Sequence, residues 1–201
     1  TREVLRSALT LRGLWHGPTG AILAAATTSL PEELGGVRNW DYRYCWLRDA
    51  AMSARVLVDL GSLEEAEALL RWVDGCVERT GGHPARLHPL YTLHGQPLAS
   101  EGVIDTLTGY AGSRPVRVGN AAQGQVQLDV FGPVADLIHD LHHARGSSTQ
   151  AELDLLEASR SRHVLHWALW AAKESAYKAL KRPAPETVFS PKEFEVELSG
   201  L

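Results

Sequence analysis

Cysteine is scarce in this sequence. Cys45 and Cys76 are the only two, they fit no metal or redox spacing, and nothing suggests a disulfide framework. No apolar run approaches the roughly 20 residues that a helix needs to cross a bilayer, and no signal-peptide pattern opens the chain. Basic residues are not in excess. A net charge of −4 and a pI near 6.1 leave no electrostatic footprint for nucleic acid or an anionic membrane. Missing too are G-x-x-x-x-G-K-[ST], a nucleophile elbow and G-x-G-x-x-G, which argues against phosphate cradles and serine hydrolase chemistry. The expectation left standing is a cytoplasmic enzyme, or a piece of one. Its 201 residues are enough for a core, and 44% hydrophobic with 22% charged residues is a globular balance.

What is present is a set of helices separated by aromatic and polar connections. Val4, Ala8, Leu11 and Trp15 recur at helical spacing until Gly17-Pro18 ends the run. Residues 19–36 show no single period. AAMSARVLVDL, from Ala50, is apolar on most sides and predicts a buried helix closed by Gly61. Ser62 and Glu65 then form a capping-box pattern ahead of Leu63, Ala66, Leu70, Val73 and Val77. Residues 80–124 read as a long Gly- and Pro-rich connection, of a length that is usually functional or hides short elements. Val126, Val130, Val134, Leu137 and Leu141 predict another helix to about Arg145. In HDLHH, His139, His142 and His143 sit at metal-compatible spacing with Asp136 nearby, or else mark a solvated helix end.

The stretch with the most chemistry is RNWDYRYCWLRDA, from Arg38 to Ala50, with four aromatics, two acids and three arginines. GAILAAATTSLPEELGGVRNWDYRYCWLRDA, followed by GYAGSRPVRVGNAAQGQVQLDVFG, closely resembles glycoside hydrolase family 15, the glucoamylases and bacterial trehalases, over about residues 3–146. The resemblance implies a mainly α fold, here a partial (α/α)6 toroid made of its first few helices. It implies that Tyr42, Trp46, Arg48 and Asp49 line the subsite for a non-reducing glucose, with rings on the sugar face and the Arg–Asp pair on its outer hydroxyls. Arg114 and Arg117 fall near the same pocket by resemblance, or staple loops. Arg48 and Asp49 equally suit a helix-start anchor, with Trp46 in the core.

By the same resemblance, inverting hydrolysis needs two glutamates on loops downstream of QLDV, the first in a motif like D-x-G-I-W-E. No such motif follows Phe131. Glu101 aligns with an acidic position that the family does not use as its acid, and Pro133 stands where an acidic residue is expected. The resemblance thus implies an α-glucosidase fragment acting on an α-linked gluco-oligosaccharide or trehalose without a cofactor. It would carry a glucose-holding wall, lack the catalytic pair and be inactive alone.

The last quarter reads differently. Leu165, Leu169, Ala172, Ala176 and Leu180 share a helix face ended by Pro183, and FEVEL alternates as a strand. WAAKESAYK is similar to the W-x-x-K-E-[AS]-x-x-K motif of phosphopantetheinyl transferases, a resemblance covering about residues 149–201. That makes residues 1–147 one segment. Residues 148–201 become a second, a long helix and short β segment of an α+β transferase-like fold. Glu174 would be a magnesium ligand and Lys173 and Lys178 would contact coenzyme A phosphates. The plainer alternative is an i, i+4 Glu174–Lys178 pair on a solvated helix. A glycosidase fragment, a transferase fragment and a non-catalytic fusion joined near residues 146–150 are the three readings that follow.

Overall fold

The computed structural model describes residues 1–159 apart from Ser29. Four helices carry the architecture: α1 (Arg2–Leu14), α2 (Leu47–Asp59), α3 (Leu63–Arg79) and α4 (Phe131–Arg145). Four two-residue strands lie in the connections: β1 (Cys45–Trp46), β2 (Leu90–Tyr91), β3 (Gly102–Val103) and β4 (Arg117–Val118). β1 pairs antiparallel with β2, and β3 with β4. The fold is mainly α.

α2 is the central element, packed against both α3 and α4. It begins at Leu47, three residues ahead of the expected start, and places Asp49 in its first turn, where the helix dipole favours an acid. It ends as expected: Gly61 takes φ +85°, and Ser62 N–H donates back to the Leu57 carbonyl at 2.8 Å. Its buried face is Leu47, Ala50, Ala51, Ala54 and Leu57, and the three alanines let the neighbouring helices approach closely. The expectation of burial on most sides fails here. Met52, Val56 and Leu60, at successive i+4 positions, stand exposed.

α3 buries a wider face than its period suggests, adding Leu69, Trp72 and Cys76 to Ala66, Leu70, Val73 and Val77. The Ser62 capping box does not form, since Ser62 makes no side-chain cap hydrogen bond. Glu65 is instead buried and paired with Arg12 of α1, which removes the carboxylate that the box requires. A reciprocal box does form where none was expected. Glu152 N–H donates to Thr149 Oγ1 and Thr149 N–H to Glu152 Oε2, opening the helical residues 150–159.

α1 buries no residue, and Val4 is exposed although it shares the expected apolar spacing. Only its C-terminal end, Leu11 and Leu14 with Trp15, packs at the edge of the core. The helix expected from Val126 starts later. Val126 is exposed in the preceding loop, Val130 is buried in a 3-10 turn, and α4 proper carries Val134, Leu137, Ile138 and Leu141 inward. Pro133 falls in its first turn, where a missing N–H costs nothing. Leu155 belongs to the same core cluster as α2, α3 and α4, so the boundary drawn at 147–148 is not an edge of this core. Among the described residues no helix is long and apolar enough to cross a membrane.

Candidate functional site

The segment 38–44 carries no helix or strand and leads from a turn-rich loop into β1, and it is anchored by a residue that spacing alone did not mark. Asp41 is fully buried. Its carboxylate accepts two hydrogen bonds from the Arg43 guanidinium, both at 2.9 Å, and others from Tyr44 Oη and Gly119 N–H at 3.2 Å. Its backbone carbonyl accepts from Asn120 Nδ2 at 3.1 Å. Burial pushes the Asp41 carboxyl upward, but the hydrogen bonds and positive charge of Arg43, with the Gly119 amide, outweigh it and hold the group below its ordinary value. Asp41 thereby ties the first aromatic block to the Gly119–Asn120 turn.

Tyr42 and Trp46 lie beyond this anchor with ring centroids 5.3 Å apart and planes tilted by 52°. Trp46 is only 6% exposed, so Tyr42 is the more accessible ring of the pair. Arg48 follows in the first turn of α2. Its Nη1 donates to Asp129 Oδ2 at 2.6 Å and its Nη2 to Asp49 Oδ2 at 3.1 Å. The Asp129 hydrogen bond is the main reason the guanidinium is held above the ordinary arginine range. Arg48 and Asp49 thus pair in the first turn of α2. Asp129, which lies inside the quoted QLDV block but was not singled out, completes a carboxylate–guanidinium–carboxylate chain at the surface.

Arg117 and Arg114 separate from this group and from each other. Arg117 donates to Glu101 Oε1 at 2.9 Å and to the Val37 and Asn39 carbonyls at 2.9 and 3.0 Å. Its guanidinium also lies 4.7 Å above the Trp40 ring. This is the loop-stapling alternative made concrete: β4 is pinned to the segment that precedes Asp41. Glu101 serves that staple and also accepts from Ala121 N–H at 3.2 Å. Arg114 is exposed and lines a shallow depression with Val103, Ile104 and Asp105.

The other candidates scatter. Asp136 and Asp140 of α4 bind Arg55 of α2 at 2.9 and 2.7 Å, which takes Asp136 away from the histidines. His139 and His143 meet edge to face at 4.4 Å, and His142 Nδ1 lies 3.0 Å from Ser148 Oγ. Among the described residues no group of three or more His, Cys, Asp or Glu is placed to hold a metal ion. Cys45 and Cys76 are buried and free, and burial pushes both thiols up, that of Cys76 to about 12. Lys173, Glu174 and Lys178 lie outside the described residues.

A family model for glycosyl hydrolases family 15 matches residues 2–169. Trehalase 1 of Sulfolobus acidocaldarius is 46% identical over 138 residues, covering 68% of this chain and 24% of its own length. A trehalase of Mycolicibacterium smegmatis is 39% identical over 162 residues, covering 81% of this chain and 24% of its own. The solved structure of a glycosidase superposes with a TM-score of 0.53 at 19% identity, over 82% of this chain and 40% of that one, a likeness of fold alone. The chain spans about a quarter of the length of the curated relatives it matches.

Proposed function

The chain belongs to glycosyl hydrolases family 15, and from that premise we propose that it is part of an inverting α-glucosidase, contributing the wall that holds the non-reducing glucose. The observation that carries this reading is the Arg48 clamp beside the Tyr42–Trp46 pair, inside the region the family model matches. In the proposal Tyr42 covers the apolar face of the sugar with Trp46 behind it. Arg48 donates to an outer hydroxyl and Asp49 accepts from one. Asp129 fixes the guanidinium so that its remaining donors point in one direction, which is where selectivity for a hydroxyl pattern arises. Arg114 is a further sugar contact in this reading, and Arg117 shapes the pocket through its staple. The (α/α)6 toroid, of which these helices would be the first, is part of the same proposal.

Trehalose is the proposed substrate, because the relatives named above are trehalases. The D-x-G-I-W-E motif is absent from the 201 residues. We therefore infer that this polypeptide binds the sugar without hydrolysing it. Titration calorimetry with trehalose and maltose, alongside an enzymatic assay for released glucose, tests both halves. The expected result is saturable binding that weakens roughly 10- to 100-fold in Asp49→Asn, the worth of one hydrogen bond to a charged group. Equal binding by that variant sinks the wall. Glucose release above the blank sinks the inference of inactivity.

A second reading is kept for the end of the chain. Trp170, Lys173, Glu174 and Lys178 fall at transferase-like spacing just past residue 169, where the family match stops. We propose that Glu174 takes magnesium and that Lys173 and Lys178 take the phosphates of coenzyme A. Coenzyme A binding that needs magnesium and disappears in Lys178→Ala is the expected outcome. Binding indifferent to magnesium discards the reading.

A further inference from the structure

The last two turns of α4 carry three of the chain's nine histidines, His139, His142 and His143, and all three stand exposed. In a helix, positions i and i+4 lie one above the other on the same face, the spacing from which two imidazoles can hold one metal ion. His139 and His143 have that spacing. Their ring centroids are 4.4 Å apart and their planes 81° from parallel. Among the described residues neither ring has a hydrogen-bond partner, so a nitrogen lone pair on each is uncommitted.

Coordination chemistry sets the distance that such a pair needs. A metal–nitrogen bond of about 2.0–2.1 Å plus the roughly 1.1 Å from an imidazole nitrogen to its ring centre puts each ring centre about 3.2 Å from the ion. Two rings at right angles about the ion are then about 4.5 Å apart, and two at the tetrahedral angle about 5.2 Å. The 4.4 Å separation matches the right-angled arrangement. The other histidine contacts do not, since His142–His143 at 6.2 Å and His16–His94 at 6.1 Å exceed both values. His142 and His16 are also engaged, with Nδ1 atoms 3.0 Å from Ser148 Oγ and 2.8 Å from Thr19 Oγ1. Rotation about χ2, which is broad for an exposed ring, turns one nitrogen each of His139 and His143 toward the shared point.

The surroundings decide which ion fits. Asp136 and Asp140, the acids on the same helix, are held by Arg55 at 2.9 and 2.7 Å, so the protein supplies two nitrogens and water fills the other positions. Hard ions such as magnesium and calcium prefer oxygen ligands, whereas imidazole suits copper, nickel and zinc. Right-angled nitrogens favour copper(II) and nickel(II) over zinc, and affinity at a given nitrogen site peaks at copper. The pair also lies at the C-terminal end of α4, where the helix dipole favours positive charge. Arg145 of the same turn is turned to Glu152, which it meets at 2.7 Å.

We propose that His139 and His143 form a two-imidazole chelate for one divalent transition-metal ion, copper(II) ahead of nickel(II) and zinc(II). The bound ion pins the last two turns of α4 together. The chelate is independent of the glycosidase reading, and the failure of either leaves the other untouched.

Titration calorimetry of the untagged 201-residue chain with copper(II), nickel(II), zinc(II) and magnesium chlorides measures it. The expected result is one strongest copper site per chain, weaker binding of nickel and zinc at the same place, and none of magnesium there. His139→Ala and His143→Ala should each weaken that copper site at least about tenfold, and His142→Ala less than about twofold. These side chains are exposed, and unchanged far-ultraviolet circular dichroism checks that each variant folds. Electron paramagnetic resonance of the wild-type copper complex should show two coupled imidazole nitrogens. Equal weakening by all three variants would mean that histidines at large collect the metal, and it overturns the chelate. So does a strongest copper site that survives the loss of His139 or His143, a spectrum with a single coupled nitrogen, or no copper binding at all.

Discussion

Replacing Asp41 with alanine is expected to cost the folded state about 3 kcal/mol, although the residue touches no proposed ligand. Arg43 keeps 45% of its side chain exposed and rehydrates when its partner goes, so the broken ion pair itself contributes little. The larger loss falls on the buried Gly119 N–H, which is left without the acceptor that satisfied it at about 1–3 kcal/mol, with a smaller share from the half-buried Tyr44 hydroxyl. Denaturant unfolding measures the loss, and a change below about 1 kcal/mol would contradict the anchoring role. The pH dependence gives a second reading of the same residue. Its carboxyl sits below the ordinary 3.8 in the folded chain, so its stabilisation is complete above that value and drains away as pH falls through the lower, folded value. The gap in thermal midpoint between wild type and Asp41→Asn should stay constant from about pH 7 to 5 and narrow below about pH 4. A gap that widens in acid would mean that the sign of the shift is wrong.

Gly20→Ala should be of comparable size, about 3 kcal/mol, for a steric reason. Residues 15–22 reverse direction sharply: Trp15 bridges Ile22, His16 N–H donates to the Ala21 carbonyl at 2.8 Å, and Gly20 takes φ +86°. A Cβ at Gly20 would collide with the backbone carbonyl of Ala68 in α3, which no rotamer change relieves. Overpacking of this kind costs about 1–3 kcal/mol, and the left-handed conformation adds about 1–2 for an L-residue. Gly35→Ala is the matched control. It has a similar φ of +77° with nothing within 4 Å of the added carbon, so only the conformational part remains, about 1 kcal/mol. Equal thermal shifts in the two variants would refute the close approach to α3.

The helices were legible because their cores repeat at 3.6 residues, and Gly61 marks a stop that the backbone uses. Cap residues were less legible, for a physical reason that two S/T-x-x-E sites display side by side. Thr149 and Glu152 close a box. Ser62 and Glu65 do not, because Arg12, some fifty residues upstream, takes the carboxylate. Period also misled at Val126, which continues the spacing of α4 on paper but precedes it in space. α2 is apolar on most sides and predicts a buried helix, yet among the described residues its buried face is the alanine-rich one, with Met52, Val56 and Leu60 exposed. In the candidate site, the aromatic block stood out by its compact composition, and Arg48 and Asp49 within it by the family resemblance that the block carries. Asp129 and Asp41 did not, and Glu101 was legible only as an acidic position that the resembled family does not use as its acid. Each acts through a partner that is distant in sequence or is itself unremarkable in composition, and a single chain read linearly carries no signal for such pairing.

That separation has an entropic corollary for the connection from Thr80 to Gly124. The bonds that assemble the site, Asp41 to Gly119 and Arg48 to Asp129, close loops of 78 and 81 residues. Closure entropy rises only logarithmically with length, by about 0.6 kcal/mol for each doubling. Lengthening the exposed parts of this connection therefore strains the fold far less than removing one acceptor at its anchor. The chain is permissive about how far the path wanders and strict about the two points where it must return.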